Sequence, residues 1–177
     1  MRKGLEGLFE RHKGKACTLI ETGTYNGVGV VSALKAGFEG VVSFEIVEHL
    51  ALTAHNKFKN TPNVLIINDS SSGVQFKIIC NNLKEPCVFW LDAHKMGGDG
   101  VIPEDYPLIE ELKAIGASPI QHTVLMDDFR LFPRYGVEIV DVIRLLSKGE
   151  KGYLITKDTV RDRYHNDVLC FTPGETG

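Results

Sequence analysis

The feature that most constrains the fold is a short apolar segment that ends in an acidic residue and runs into a Gly-x-x-x-Gly turn. The segment is Leu19-Ile20-Glu21, and the glycines of the turn are Gly23 and Gly27. Glycine has no Cβ and tolerates positive φ, so the backbone of such a turn can pass close to a ligand. The helix that follows presents free N–H groups in its first turn. The pattern therefore predicts a strand, a ligand-binding loop and a helix in succession.

The same succession recurs along the chain. Glu45 closes the apolar run Val41–Phe44, and Asp69 comes after the run Val64–Ile67. Short β-rich runs that alternate with helix-period segments are typical of a parallel sheet covered by helices on both faces. Strands are predicted near 17–22, 41–46, 63–67, 87–92, 122–127, 153–156 and 168–171, and helices over 28–37, 47–59, 71–83, 104–115 and 137–146. The predicted fold class is doubly wound α/β with a seven-stranded, mostly parallel sheet.

The composition bounds the class of protein. A chain of 177 residues, 43% hydrophobic and 24% charged, matches a single globular domain over residues 1–177 and excludes fibrous or disordered proteins. The formal net charge of -3 argues against a nucleic-acid partner, which would require clustered Lys and Arg. The chain has no run of about 18 apolar residues and no continuous apolar signal region. We therefore expect no membrane segment and a cytoplasmic protein.

The cysteines and most histidines lack the spacing of metal sites. The four cysteines have no C-x-x-C pair, so we expect core packing in a reducing compartment. They are Cys17, Cys80, Cys87 and Cys170. Apart from His94, the histidines show no ligand spacing, and surface or packing roles are expected. The basic stretch Arg11–Lys15 is expected to be a solvated lead-in, that is, a solvent-exposed segment that precedes the first strand.

The glycine spacing discriminates between two classes of nucleotide cofactor. A nicotinamide dinucleotide would also use a Gly-rich first turn and an acid such as Glu45 after the second strand. Its fingerprint Gly-x-Gly-x-x-Gly fails in both registers here. Tyr25 interrupts the register that starts at Gly23, and Ser32 interrupts the one that starts at Gly27.

The motif acid-x-Gly-x-x-x-Gly, from Glu21 to Gly27, resembles the first motif of the class I S-adenosylmethionine-dependent methyltransferases. In element order the resemblance spans about Cys17 to Phe171. It implies a Rossmann-like fold that closes with a hairpin and an antiparallel last strand. It also implies S-adenosylmethionine as the cofactor.

The resemblance assigns cofactor-binding roles to three segments. Glu21 would orient the loop and approach the methionine part of the cofactor, while Glu45 would accept hydrogen bonds from both ribose hydroxyls, since a carboxylate can accept two donors. Asp69 and Ser70 would meet the adenine; capping of the next helix is the alternative for both. The residues that would wrap the cofactor are Gly23, Thr24, Tyr25, Asn26 and Gly27.

A second polar constellation follows the fourth and fifth predicted strands. Asp92, His94 and Lys95 come after one apolar run, and Asp127 and Asp128 come after the next. The carboxyl ends of the strands in an open α/β sheet meet at one edge, where ligands bind. Three carboxylates gathered there would repel one another unless a hard cation neutralises them. Magnesium is the natural candidate, with calcium and manganese as alternatives.

This constellation resembles the metal-dependent O-methyltransferases of the catechol and caffeoyl-CoA type. Their metal site combines an Asp three positions before a Lys with a later Asp-Asn or Asp-Asp pair. The resemblance implies that the metal ligands are Asp92, Asp127 and Asp128, and that Asp92 is also a catalytic residue. It further implies that Lys95 or His94 is the general base. The metal would acidify an acceptor hydroxyl, and the base would remove its proton. The predicted activity is O-methylation of a small hydroxylated molecule, a sugar or a phenol.

Other interpretations stay open. In a metal-independent methyltransferase, Asp92 would be a cofactor-side acid, and His94 or Lys95 would work alone. Asp127 and Asp128 could cap the following helix or turn, and His94 could be a structural imidazole. A non-catalytic cofactor-binding protein of the same fold and a dinucleotide oxidoreductase are the remaining classes.

Access to the site depends on neighbouring segments. The glycine-rich stretch Met96–Gly100 predicts a mobile lid that orders on substrate binding. Many small-molecule O-methyltransferases cover their substrate with a long N-terminal helical extension, which this sequence lacks. A homo-oligomer in which a second copy supplies the cover is therefore an alternative. Arg130 and Arg134 would either hold an anionic substrate or stay solvated, as loop arginines usually do.

Overall fold

The structure is a computed structural model that describes residues 4–93, 106–147, 153–160 and 167–174. Its strands are β1 (Thr18–Thr22), β2 (Gly40–Phe44), β3 (Val64–Ile67), β4 (Val88–Leu91), β5 (Thr123–Met126), β6 (Tyr153–Asp158) and β7 (Val168–Pro173). Its α-helices are α1 (Leu5–His12), α2 (Val28–Lys35), α3 (Glu48–Phe58), α4 (Val74–Asn82), α5 (Leu108–Gly116) and α6 (Ile139–Leu146). A 3-10 helix over Phe129–Tyr135 separates β5 from α6.

The seven strands form one sheet in the order β3-β2-β1-β4-β5-β7-β6. Strands β1 to β5 are parallel to their neighbours among themselves, whereas β7 runs antiparallel to both β5 and β6. The predicted α/β fold, with a mostly parallel seven-stranded sheet and an antiparallel last strand, is confirmed. The chain moves outward from β1 to β3 and then returns to β4 on the other side of β1. Ligands of open α/β sheets bind at such a reversal, beside the carboxyl ends of the strands.

Helices cover both faces of the sheet, as strand β4 illustrates. Val88 and Trp90 belong to a buried cluster that includes residues of α1, α2 and α3, whereas Phe89 and Leu91 belong to another that includes residues of α4, α5 and α6. Successive strand residues point to opposite faces, so a strand that is apolar throughout is buried on both. Trp90 packs edge-on against Phe9 of α1 with ring centroids 5.6 Å apart, which anchors that helix to the sheet.

Helix α1 is an element that the sequence did not predict. Arg11 and His12 lie in its last turn and contact Asp158 of β6 at 2.9 and 3.0 Å. The expectation of a solvated lead-in is therefore wrong for these two residues. Their partner is about 146 residues further along the chain, and such a distant pair leaves no local pattern in the sequence.

Three of the four cysteines pack in the core as predicted. Burial raises the pKa of Cys80 and Cys170 to about 12 and that of Cys87 to about 11, so these thiols stay protonated and unreactive. Cys17 is exposed just before β1, and the prediction of core packing is wrong there. His122 has the expected packing role: its ring is buried, accepts from the backbone N–H of Cys87 and contacts Ser118.

In the described part of the chain, no helix combines the length and apolar character that crossing a membrane requires.

Candidate cofactor and metal site

The residues predicted to form the site follow strand ends that lie in one row. Thr22, the last residue of β1, is in register with Phe44 of β2 and Leu91 of β4, and the row continues to Ile67 of β3 and Met126 of β5. The hydrogen-bond ladder extends one residue beyond this row on four strands. The residues in that next position are Gly23, Glu45, Asp92 and Asp127. The predicted cofactor loop and the predicted metal ligands therefore share one edge of the sheet.

The loop between β1 and α2 requires both glycines of the motif. Gly23 has φ +87°, and a Cβ there would lie 2.6 Å from the carbonyl oxygen of Asp92. Gly27 has φ +73° and precedes α2 as its N-cap residue; a Cβ there would lie 2.6 Å from the ring of Phe58. The turn is closed by the N–H of Gly27, which donates to the carbonyl of Thr24 at 2.8 Å. The backbone can take this path only without side chains at these two positions.

The acid of the motif, Glu21, lies beneath the loop. Its carboxyl group accepts from Ser43 Oγ at 2.5 Å, and Ser43 Oγ lies 2.6 Å from Thr24 Oγ1. A Cβ on Gly29 would overlap the Glu21 carboxyl, so this acid packs against the first turn of α2. Burial raises the pKa of Glu21 to about 8; the Ser43 hydrogen bond opposes the shift, and the charge of Asp92 adds to it. Glu21 is thus mostly neutral at pH 7 and fixes the loop from below.

Ser43 and Gly29 contact Glu21 beneath the loop, and sequence reasoning missed both. Ser43 is paired directly with Glu21 in the register of β1 and β2, and it is a fully buried polar residue in an otherwise apolar strand. A lone serine in such a strand is a signal that could have been used. Gly29 had no comparable signal, because a glycine inside a helical segment has many explanations.

Glu45 connects the end of β2 to the loop. Its Oε2 accepts from the backbone N–H of Tyr25 at 2.7 Å, and its Oε1 accepts from the N–H of Val47 at 3.0 Å. The side chain of Asn68 donates to the backbone carbonyl of Glu45 at 2.8 Å, which links β3 to the same corner. The carboxylate is buried and is held in place by these two backbone donors.

Asp69 and Ser70 form a turn before α4. Asp69 Oδ1 accepts from the N–H of Ser70 at 2.8 Å, and Ser70 Oγ lies 2.8 Å from Ser72 Oγ. Helix α4 begins at Val74 with Gly73 as its N-cap residue and has no side-chain cap. The capping alternative for Asp69 and Ser70 is therefore wrong. Both side chains are half-buried near the edge that carries Glu45.

The three candidate metal ligands lie together, as the sequence predicted. Asp92, Asp127 and Asp128 each place a carboxylate oxygen within 4.8 Å of the other two. Asp127 and Asp128 are buried, and Asp92 is half-buried. Like charges this close, with little water between them, repel one another strongly. A donor set made only of carboxylate oxygens fits a hard divalent cation such as magnesium.

Asp128 is also bound by a cation of the protein itself. Nη1 of Arg130 donates to Asp128 Oδ1 at 2.5 Å and also to a carboxylate oxygen of Asp167, while Asp167 Oδ1 accepts from the N–H of Arg130 at 3.0 Å. Asp128 occupies the N-cap position of the 3-10 helix with φ 52°, but its side chain makes no capping hydrogen bond. The capping alternative is thus wrong for Asp128. The Arg130 side chain is 38% exposed, as expected for a loop arginine, and its guanidinium also pairs with two carboxylates.

A depression opens beside Asp127, one of the three aspartates. Its empty space is about 200 Å³, part of it open to solvent. It is lined by Leu91, Ala93, Tyr106, Leu108, Glu111 and Asp127. The ring of Tyr106 stacks on Tyr135 with centroids 4.0 Å apart, and burial, together with the charges of Glu111 and Asp128, raises the pKa of Tyr106.

Glu111 is a further residue of the site that sequence reasoning missed. It is buried beside Asp127 and lies on the apolar side of α5 together with Leu108 and Leu112. An acidic residue on the apolar face of an amphipathic helix is a sequence signal of a functional or paired carboxylate.

The remaining catalytic candidates fall outside the described residues. His94 and Lys95, as well as the predicted lid Met96–Gly100, belong to the stretch 94–105 that the structure does not describe. The assignment of the general base and the lid stay predictions from the sequence.

Comparison with known proteins identifies the fold. No protein-family model and no curated sequence relative matches the chain. Among solved structures, SMU.1697c from Streptococcus mutans, a candidate methyltransferase in complex with S-adenosylhomocysteine, is similar at a TM-score of 0.61 and 14% identity, with 98% of this chain and 99% of that chain covered.

Two O-methyltransferases are also similar. TomG from Streptomyces achromogenes, involved in tomaymycin synthesis and solved with S-adenosylmethionine, has a TM-score of 0.64 and 15% identity, covering 96% of this chain and 78% of its own. The enzyme from Bacillus cereus, solved with S-adenosylhomocysteine, has a TM-score of 0.61 and 16% identity with the same coverages, 96% and 78%. Ribosomal RNA methylases share the fold as well. Together with the strand order, these likenesses show that the chain has the Rossmann-like fold of the S-adenosylmethionine-dependent methyltransferases.

Proposed function

We propose that the protein is an S-adenosylmethionine-dependent methyltransferase that methylates a hydroxyl group of a small molecule with the help of a divalent metal. The observation that carries the cofactor assignment is the glycine turn Gly23–Gly27, which lies at the reversal point of the sheet and donates the N–H of Tyr25 to Glu45. A loop fixed in this way from both sides is already arranged for a ligand, which lowers the entropy cost of binding.

Each part of the loop has a role toward the cofactor in this proposal. The backbone of Gly23, Thr24, Asn26 and Gly27 wraps the methionine part, and the exposed ring of Tyr25 lies at the rim. The two oxygens of a carboxylate can each accept more than one donor. The acid after β2 can therefore accept ribose hydroxyls while it keeps its two backbone donors.

The neighbouring strand ends complete the cofactor site. Asp69 and Ser70, which follow β3, meet the adenine. Glu21 holds the loop through Ser43 and Thr24 and faces the methionine end from below. Because Glu21 is mostly neutral at pH 7, it contributes a hydrogen-bonded support with little charge.

The acidic cluster supports the O-methyltransferase assignment. Asp92, Asp127 and Asp128 would hold the ion, which when bound lowers the pKa of a coordinated hydroxyl. Lys95 or His94 would then take the proton. The transferring methyl group needs no acid–base help from the protein, so the remaining task of these residues is alignment of the acceptor.

The acceptor is proposed to be a small molecule. The apolar and aromatic lining of the depression beside Asp127, formed by Leu91, Leu108 and Tyr106, supports this proposal, because small-molecule sites combine such a lining with a few polar groups. RNA methylases with this fold make RNA the other candidate. The formal net charge of -3 disfavours it, since phosphate contacts require an excess of Lys and Arg.

Calorimetric titration of S-adenosylhomocysteine, with magnesium and with a chelator, tests the cofactor assignment. We expect binding under both conditions. Absence of binding under both would contradict the methyltransferase proposal and leave Gly23–Gly27 as an ordinary tight turn. Tight binding of NAD instead would favour a dinucleotide oxidoreductase.

A second experiment tests the reaction. The protein is incubated with S-adenosylmethionine and a panel of catechols and sugars, and formation of S-adenosylhomocysteine is followed with magnesium and with a chelator. Turnover that requires magnesium is the expected result. Turnover that is insensitive to the chelator would favour a metal-independent enzyme, and cofactor binding without turnover would favour a non-catalytic protein.

A further inference from the structure

Arg130 joins two buried carboxylates that belong to different elements. Asp128 follows β5, Asp167 precedes β7, and one guanidinium nitrogen, Nη1, contacts both. The two acids are fixed in place, since their side chains are only 3% and 9% exposed, whereas the Arg130 side chain is 38% exposed. The arginine is therefore the member of this trio that can move at the lowest cost.

The same carboxylate of Asp128 is one of three that converge within 4.8 Å. Bringing three negative charges this close is unfavourable unless positive charge is supplied. Arg130 supplies one positive charge to this group. A divalent ion held by the same three aspartates would lie close to that guanidinium, and the two cations would repel each other.

We propose that Arg130 is an internal counter-ion of the acidic cluster: it neutralises Asp128 while the metal is absent and competes with the metal for that carboxylate. Because the metal site is part of the proposed function, the inference rests on it. When metal binds, the guanidinium withdraws from Asp128 and keeps Asp167, whose other oxygen already accepts from the N–H of Arg130. In this proposal Arg130 is a positioning residue that acts through Asp128.

Competition and simple orientation predict opposite effects on metal affinity when Arg130 is removed. If Arg130 only aimed Asp128 at the metal, its removal would weaken metal binding, as loss of outer contacts usually does. If it competes, its removal strengthens metal binding and destabilises the metal-free protein. In that case the metal-free protein keeps three converging carboxylates and a buried Asp167 with fewer partners.

The test is calorimetric titration of magnesium into the full chain, paired with thermal unfolding with and without magnesium. We expect Arg130→Met to bind magnesium about tenfold more tightly than the wild type and to unfold at a lower temperature in its absence. Arg130→Lys keeps the charge and is expected to bind magnesium nearly as the wild type does. Arg144→Met is the matched control, because Arg144 is exposed and pairs with Asp141 on its own helix.

The results of the magnesium titrations test the inference separately from the proposed metal site. Magnesium binding by Arg130→Met that equals the wild type or is weaker overturns the inference, while leaving the proposed metal site intact. If neither protein binds magnesium, both the inference and the metal site are wrong, and the calorimetry with S-adenosylhomocysteine still reports separately on the methyltransferase assignment. If Arg130→Met does not fold, Asp167→Asn serves instead. It should release the guanidinium to Asp128 and weaken magnesium binding, and tighter binding would overturn the inference.

Discussion

Two groups of acids lie at the same edge of the sheet and differ in what satisfies them. Glu21 and Glu45 are bound by donors of the protein, namely the Ser43 hydroxyl and two backbone N–H groups. The aspartates of the second group converge on one another within 4.8 Å, and Arg130 pairs with one of them. Acids held by neutral donors can act as a framework for a loop, whereas converging acids are stabilised by positive charge.

Because of this difference, we expect the two groups of acids to respond differently to changes in packing, in pH and in the concentration of divalent ions. The first group should be sensitive to packing and to pH, because Glu21 is buried and mostly neutral at pH 7. The second group should be sensitive to divalent ions. Each of the following experiments disturbs one of the two groups.

The largest expected effect is steric and concerns the first group. Gly29→Ala places a Cβ on the Glu21 carboxyl, and we expect a loss of about 3 kcal/mol in the free energy of unfolding. Chemical denaturation measures it. Gly40→Ala is the control, because a Cβ there meets its nearest atom at 3.4 Å, an ordinary contact.

A double variant sharpens this prediction. If the clash with Glu21 is the cause, Glu21→Ala combined with Gly29→Ala should be less destabilised than the sum of the two single changes. Additive losses would show that Gly29 matters for another reason.

The next effect concerns the second group. Magnesium at about 100 times its dissociation constant should stabilise the wild type by about 2.7 kcal/mol, because the ion binds only the folded protein. Asp92→Asn removes one ligand and should abolish most of this gain, as measured by thermal unfolding with magnesium and with a chelator. An unchanged magnesium response in Asp92→Asn would remove Asp92 from the metal site.

The last effect is the pH dependence caused by Glu21, which is the smallest of the three for a change of one pH unit. Its pKa is about 8 in the folded protein against 4.5 ordinarily, so the folded state binds a proton that the unfolded state releases. The resulting stability is fully present below pH 4.5 and is lost as the pH rises to about 8, at no more than about 1.4 kcal/mol per pH unit.

Glu21→Gln isolates this contribution. The glutamine keeps a hydrogen-bonding side chain but cannot ionise, so the variant should lose the decline in stability between pH 5 and 8 that the wild type shows. Urea unfolding at several pH values measures it. An identical decline in both proteins would mean that Glu21 is already ionised in the folded state.

The sequence predicted the fold and the membership of both groups because these depend on local patterns. Alternating strands and helices, and an acid or a glycine at each strand end, place residues at one edge of a parallel sheet. The convergence of Asp92 with Asp127 then follows from the pairing of β4 with β5. The antiparallel last strand came only from the resemblance, and the strand order was not predicted, since spacing does not determine which strands are neighbours.

The partners of the two groups could not be predicted from local patterns. Ser43 is 22 residues from Glu21, and Asp167 is 37 residues from Arg130, so each pair forms only when the sheet assembles. Helix α1 was missed for a related reason: its apolar residues find their partners on the sheet, as Phe9 does with Trp90.

The central claim is that one group binds the cofactor and the other binds the metal. It is tested most directly by one pair of variants, each titrated with S-adenosylhomocysteine and with magnesium. We expect Glu45→Ala to bind S-adenosylhomocysteine about tenfold or more weakly and magnesium normally, since a hydrogen bond to a charged group contributes about 1.5–3 kcal/mol. Asp127→Ala should bind S-adenosylhomocysteine almost as the wild type does and lose magnesium binding. Equal loss of S-adenosylhomocysteine affinity in both variants would contradict the account.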